Sequence, residues 1–137
     1  MCSSDLRLID AMDHDACFKW ALHDREPMPA WGRGRVTLLG DACHPTLPFM
    51  AQGAAMAIED AAVLAGCLER IDEATAALRR YEDLRRERTA GIQLGSRRNA
   101  SLFHLRGEAA EARDRNLSSR PGRAPADLYG YDALTVA

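Results

Sequence analysis

The segment Gly40–Ala61, GDACHPTLPFMAQGAAMAIEDA, constrains the fold more than any other part of the chain. Pro45 and Pro48 each remove a backbone donor and bias their neighbours away from helical angles, which predicts an ordered loop over residues 44–50 rather than a first helical turn. Upstream, Val36, Thr37, Leu38 and Leu39 run without polar alternation, the pattern of a strand covered on both faces. That strand stops at Gly40-Asp41. Downstream, the alanine-rich run from Gly53 to Ile71 predicts a helix with Ile58, Ala61, Ala65 and Leu68 as its apolar stripe. Gly66 within it costs about 1 kcal/mol, too little to end a long packed helix. Strand, stiff turn and small-residue helix in immediate succession are an α/β arrangement.

Around this unit the pattern is less dense. Arg7 to Met12 reads as a short strand, and Ala16, Phe18, Trp20 and Leu22 at period two predict a second strand within residues 14–23. Pro27 and Pro29 break it, and Trp31-Gly32-Arg33-Gly34 reads as a turn. Asp72 is a candidate cap for a second long helix beginning near Glu73, with an apolar stripe of Leu78, Tyr81, Leu84 and Ile92. Arg79, Arg80, Arg85, Arg86 and Arg88 alternate with Glu82, Asp83 and Glu87, as on a solvated face laced with weak ion pairs. Gly95 suggests a break before a further helix over residues 96–105. Residues 116–127 read as a loop or extended tail, and LYGYDA, residues 128–133, as a segment that docks onto the body. A buried strand at residues 36–39 requires neighbours that the rest of the chain barely supplies.

Composition narrows the function classes. The chain has 137 residues, 28% of them charged, and a net charge of -2, which fits one modest domain or a piece of a larger one and gives no reason to expect a nucleic-acid or membrane partner. Cys2, Cys17, Cys43 and Cys67 are scattered without a CxxC pair or a cysteine–histidine ligand spacing, so no metal site or disulfide framework is expected and a reducing cytoplasm is the default compartment. The opening MCSSDLR, residues 1–7, is too polar for a signal peptide and is expected to be a non-native or disordered start.

Candidate chemistry gathers at the Gly40–Ala55 edge. An aspartate at the carboxyl end of a buried strand lies where α/β folds place ligands, and the Asp41 carboxylate can accept two hydrogen bonds from vicinal hydroxyls. The helix starting near Gln52 or Gly53 directs unpaired N–H groups and a partial positive charge to the same place. Gly53, Ala54 and Ala55 keep no planar ring away from those donors, and the prolines stiffen the wall between. Each residue also has a plainer reading. Asp41 after Gly40 is a common turn former, His44 before a proline is more often a structural hydrogen-bonding group than a general base, and Gln52 serves as a helix cap. Glu59-Asp60 reads as a solvated face; Phe49, Met50, Tyr81, Tyr129 and Tyr131 read as packing residues.

GRVTLLGDACHPTLPFMAQGAAMAIEDAAVLAGCL, residues 34–68, closely resembles the second flavin-contact motif of FAD-dependent aromatic hydroxylases of the para-hydroxybenzoate hydroxylase class, and is most similar to the salicylate, 3-hydroxybenzoate and 6-hydroxynicotinate hydroxylase group. KWAL at 19–22, DREP at 24–27, YEDLRRERT at 81–89 and the terminal YGYDA extend the resemblance from about Phe18 through Tyr131. It implies that Asp41, with Gly40 before it, holds the ribityl chain of FAD, and that Pro48 lies beside the isoalloxazine. It also implies that the Ala54 and Ala55 amides, in the turn opened by Gln52 and Gly53, face the pyrimidine oxygen. The implied reaction hydroxylates a small aromatic acid through a flavin C4a-hydroperoxide, with NADH or NADPH as reductant and O2 as co-substrate. His44 matches the pattern, which does not make it the base.

By the same resemblance the chain is the C-terminal portion of a Rossmann-type FAD-binding domain. Residues 8–30 would be the end of a substrate-domain sheet, 31–71 the FAD-binding segment, 72–115 the C-terminal helices and 116–137 a loop and docking tail. Such enzymes open with a Gly-x-Gly-x-x-Gly fingerprint that this sequence does not contain, so the isolated chain is expected to be inactive. A homodimer is open to the full-length enzyme. The alternatives are a fragment of another GD-motif flavoenzyme, a reductase, epoxidase or halogenase, and a non-catalytic helical interaction module.

Overall fold

A computed structural model describes residue 7, residues 10–119 and residues 126–136. After a 3-10 turn at His14–Ala16 comes a two-stranded antiparallel hairpin, β1 (Gly32–Arg33) and β2 (Val36–Thr37), with Gly32 opposite Thr37 and Arg33 opposite Val36. Gly34 takes φ +61° in its turn, and a Cβ on Gly32 would stand 2.7 Å from the Val36 carbonyl, so both glycines are needed for so tight a hairpin. Short 3-10 turns at Gly40–Ala42 and Pro48–Met50 shape the loop that follows. Among the described residues, helices α1 (Gly53–Arg70), α2 (Ala74–Phe103), α3 (Gly107–Ser118) and the single turn α4 (Ala126–Tyr129) follow. The small sheet and long C-terminal helices make an α/β arrangement.

The core lies between α1, α2 and the hairpin. Trp31, Cys43, Val63, Cys67, Ala77 and Tyr81 are buried together, and Met28, Leu38, Leu64, Ile71, Leu84, Ala133 and Val136 pack against them. Tyr81 stacks obliquely on Trp31 at 5.7 Å and donates its hydroxyl to the Leu38 carbonyl at 3.3 Å, which fixes α2 to the strand entering the loop.

Helix α1 forms where its composition predicts, but with the opposite face inward. The buried stripe is Met56, Asp60, Val63 and Cys67, at spacings of four, three and four. The expected stripe faces out, with Ile58 71% and Leu68 49% exposed and Ala61 and Ala65 exposed beside them. The inward stripe was hidden because one of its members is an aspartate.

Helix α2 corrects two further expectations. Its cap is Glu73, not Asp72: the Glu73 carboxylate accepts from Thr75 N at 2.8 Å and Ala76 N at 2.6 Å. Those amides hold the Glu73 carboxyl below the usual range. Nor does Gly95 break the helix, which runs unbroken to Phe103. A Cβ at Gly95 would approach Met50 Sδ to 2.6 Å, so this glycine serves close packing of the loop on the helix.

The expected strands are mostly not formed. Only Val36–Thr37 of residues 36–39 pairs, and Val36 is 69% exposed, because the hairpin has no neighbouring strand among the described residues to cover it. No strand forms in described residues 10–30 either: Asp13 caps a 3-10 turn at His14–Ala16, and Phe18, Trp20 and Leu22 stand exposed on unpaired chain. Of the proposed strand at residues 7–12, residues 8 and 9 lie outside the described residues; of the described ones, the Ala11 amide bonds to the Arg7 carbonyl, four residues back. The expected loop of residues 116–127 begins later, since α3 runs to Ser118, and residues 120–125 lie outside the described residues, as do residues 1–6 of the expected disordered start. No described helix is long and apolar enough to cross a membrane.

Candidate functional site

Asp41, Thr46, Pro48, Ala51, Gly53, Ala54 and Ala57 line an open groove of about 540 Å³ along the start of α1. Asp41 reaches it from the 3-10 turn that ends the β2 segment, and its side chain is exposed. Pro48 opens the second 3-10 turn and is also exposed. Ala51 then takes a left-handed conformation, φ +52°, that turns the chain into α1. The Met56 amide is the first of the helix to find a carbonyl, that of Gln52, at 2.9 Å. The amides of Gly53, Ala54 and Ala55 therefore have no partner within the helix and carry the positive end of its dipole. Small side chains leave this edge bare. A carboxylate acceptor and a cluster of backbone donors thus share one groove, suited to a ligand with hydroxyls at one end and an electron-rich acceptor at the other.

The predicted site residues divide between groove and core. Asp41, Pro48, Gly53 and Ala54 line the groove, whereas Gly40, His44, Gln52 and Ala55 do not. Gly40 is buried at φ +61°, with a Cβ only 3.3 Å from Ala57 Cβ were one present, and its amide donates to Asp60 Oδ2 at 3.0 Å. His44 is buried behind the loop, its Nε2 2.5 Å from the same carboxylate oxygen. Gln52 is buried and holds the cap position before α1, as its plainer reading has it, but its side chain makes no capping bond and only its carbonyl takes part, accepting from Met56 N. Only Gln52 separates the left-handed Ala51 from α1, and of the first helical residues Gly53 and Ala54 line the groove, with Ala55 next to them in sequence.

Two residues that sequence reasoning assigned to solvent form the centre of the site's support. Asp60 and Arg85 are both 0% exposed and joined through Arg85 Nε to Asp60 Oδ1 at 2.7 Å. Arg85 also donates to Glu59 Oε2 at 2.7 Å and to the Met56 carbonyl at 3.3 Å. Arg88 grips both Glu59 oxygens, at 2.7 and 2.8 Å, donates to the Leu128 carbonyl at 3.1 Å and lies 3.9 Å over the Tyr131 ring, tying the tail to the network. Burial pushes the Asp60 carboxyl up, but hydrogen bonds from His44 and Arg85 outweigh it and hold the group below the usual carboxylate range. Glu59 is lowered in the same way, burial being overcome by Arg88 and Arg85. The available signal was the spacing, because Asp60 falls four residues after Met56 and three before Val63 on one helical face.

Cys43, His44 and Asp60 bring ligand-type atoms within 4.8 Å of one another. Both Asp60 oxygens are already engaged, and burial foremost pushes the Cys43 thiol up to about 12, so the cluster reads as a hydrogen-bonded core rather than a metal centre.

Comparison with known proteins places these features in context. Residues 10–94 match the family model described as FAD binding domain. The 6-hydroxynicotinate 3-monooxygenase of Bordetella bronchiseptica is 55% identical over 86 residues, covering 61% of this chain and 22% of that protein. The 3-hydroxybenzoate 6-hydroxylase 1 of Aquipseudomonas alcaligenes is 46% identical over 114 residues, covering 82% and 28%. Among solved structures, Klebsiella pneumoniae HpxO complexed with FAD and uric acid superposes with a TM-score of 0.80 at 35% identity, over 87% of this chain and 31% of that one. A salicylate hydroxylase substrate complex superposes at 0.65 with 32% identity, over 83% and 29%. The chain spans about a quarter of the length of the curated relatives it matches.

Proposed function

The chain belongs to the FAD binding domain family, and on that premise we propose that it forms the flavin-facing wall of an FAD-dependent monooxygenase. The full-length enzyme hydroxylates a small aromatic acid of the salicylate, hydroxybenzoate or hydroxynicotinate kind, using NADH or NADPH and dioxygen. The observation that carries this is the groove in which the exposed Asp41 carboxylate shares one small-residue surface with the unpaired first amides of α1. That donor set fits FAD: a carboxylate for polyol hydroxyls, amides for a ring oxygen, and no side chain larger than proline or threonine along the edge except Asp41 itself.

In this reading Asp41 accepts hydrogen bonds from the ribityl hydroxyls, and Gly40 sets its position by anchoring the turn to Asp60. Gln52 and Gly53 lead the chain into α1 so that the Ala54 and Ala55 amides donate to the pyrimidine oxygen. The α1 dipole favours negative charge at its mouth without reorganisation. Pro48 stands beside the ring as a stiff wall. When bound, the flavin supplies hydride acceptance from the nicotinamide and activation of dioxygen. His44, its Nε2 committed to Asp60, holds the loop and does not act as the base. Residues 31–71 are then the FAD-binding segment, 72–115 the C-terminal helices and 116–137 the docking tail, while residues 8–30, strandless where described, would join a substrate-domain sheet only in the full-length enzyme.

The test is NADH and NADPH oxidation by the full-length flavoprotein across hydroxybenzoates, salicylate and hydroxynicotinates, with products identified. Hydroxylated product from one of these acids is expected; a purified protein that binds no FAD, or that reduces or halogenates its substrate, would overturn the reading.

A further inference from the structure

Below Arg85, a second polar face of α2 meets the back of the same loop. Gln93 and Ser96 are buried, and Asn99 is half-buried. Each donates to a loop carbonyl: Gln93 Nε2 to Pro45 O at 3.1 Å, Ser96 Oγ to Leu47 O at 2.5 Å and Asn99 Nδ2 to Phe49 O at 3.1 Å. Donors three residues apart on one helical face therefore take every second carbonyl of the loop. The carbonyls of residues 45, 47 and 49 are thus taken by α2, while the side chains of Thr46 and Pro48, between them, line the groove.

Two further observations show that the register is specified. Gly95, between the first two donors, leaves room for Met50 where a Cβ would come within 2.6 Å of its sulfur. Ala51 then holds φ +52°, a conformation that a non-glycine residue keeps only when its surroundings over-determine it. Held at Phe49 and Met50 on one side and by α1 on the other, Ala51 transmits the loop's height to the first amides of α1.

We propose that Gln93, Ser96 and Asn99 are positioning residues that set Pro48 and the Ala54 and Ala55 amides against the flavin ring. The inference rests on the flavin-wall reading, so its test separates the two. In the full-length flavoprotein, stripped of FAD, amide exchange across residues 46–55 reports the register with no cofactor present, and FAD titration with the visible flavin spectrum then reports its consequence. Ser96→Ala and Asn99→Asp each remove a donor at little change of volume. Each is expected to speed exchange in residues 46–55 by about tenfold while amides in the last turns of α1 stay as slow as before. Each should also weaken FAD binding by about three- to tenfold and shift the flavin absorption bands. Ser96→Thr, which keeps the hydroxyl, should restore both.

Faster exchange with unchanged FAD affinity and spectrum would reduce the three side chains to a structural role and overturn the proposal, as would unchanged exchange. Unmodified protein that shows the slow loop amides yet takes up no FAD would overturn the flavin wall itself, and with it any positioning of the ring. Asn99 is only half-buried and its variant is expected to fold, so failure of Ser96→Ala to fold leaves Asn99→Asp to decide.

Discussion

One loop is held from behind in two different ways, and the contrast separates what anchors it from what sets its height. At the Gly40–His44 end the holder is charge: Asp60 and Arg85, fully buried, fix the Gly40 amide and the His44 ring. At the Pro45–Phe49 end the holders are neutral donors from α2, one to each alternate carbonyl. A buried ion pair is secure when complete and costly when broken, because the surviving charge has nowhere to go. A neutral donor contributes modestly, and its loss frees one carbonyl. The charged end decides whether the loop exists; the neutral end decides where it stands.

That contrast breaks first at Arg85. Arg85→Met leaves Asp60 charged and buried and is expected to lower the unfolding free energy of the full-length protein by about 3–5 kcal/mol in urea titration. A loss under about 1 kcal/mol would place the pair on a par with surface ion pairs. Acid sharpens the same end. Asp60 and Glu59 have folded-state pKa values below their unfolded ones, so the stability they contribute is fully present above about pH 4 and is lost as pH falls through the lowered values. Urea midpoints taken from pH 7 down to pH 2 should fall in the acid limb, and Asp60→Asn should flatten that limb while lowering the plateau.

The neutral end predicts smaller numbers. Ser96→Ala should cost about 1 kcal/mol by the same titration, several-fold less than Arg85→Met. Equal costs would erase the distinction between the two ends. Smallest is Arg86→Ala, next in sequence to Arg85 but half out of the protein, with Glu82 at 3.2 Å, Asp83 at 3.7 Å and the exposed Pro29 carbonyl bond at 3.2 Å as its contacts. It should change stability by no more than about 0.5 kcal/mol. Two adjacent arginines with such different costs would show that burial, not charge, makes the clamp.

The residues that line the groove were legible in sequence because they are close together in the chain. Two prolines, a strand-end aspartate and a run of small residues are neighbours in the chain, and the motif they spell resembles one family closely. The supporting side was not. Asp60 and Arg85 are 25 residues apart and each sits among charges typical of a solvated face, so only the helix pairing reveals that they meet. Gln93, Ser96 and Asn99 are ordinary polar residues until the loop is placed against them. The strands failed for a complementary reason. Phe18, Trp20 and Leu22 alternate as a strand should, yet a strand needs a neighbour for its backbone, and none is present among the described residues.

Everything in the two clamps serves the proposition that Asp41 and the first amides of α1 face a flavin. FAD titration of the full-length apoprotein, unmodified and with Asp41→Ala, tests it most directly. Loss of two polyol hydrogen bonds to a carboxylate should weaken binding at least about tenfold, with the fold intact, since Asp41 is exposed and outside both clamps. Equal affinity in the two proteins would contradict the account.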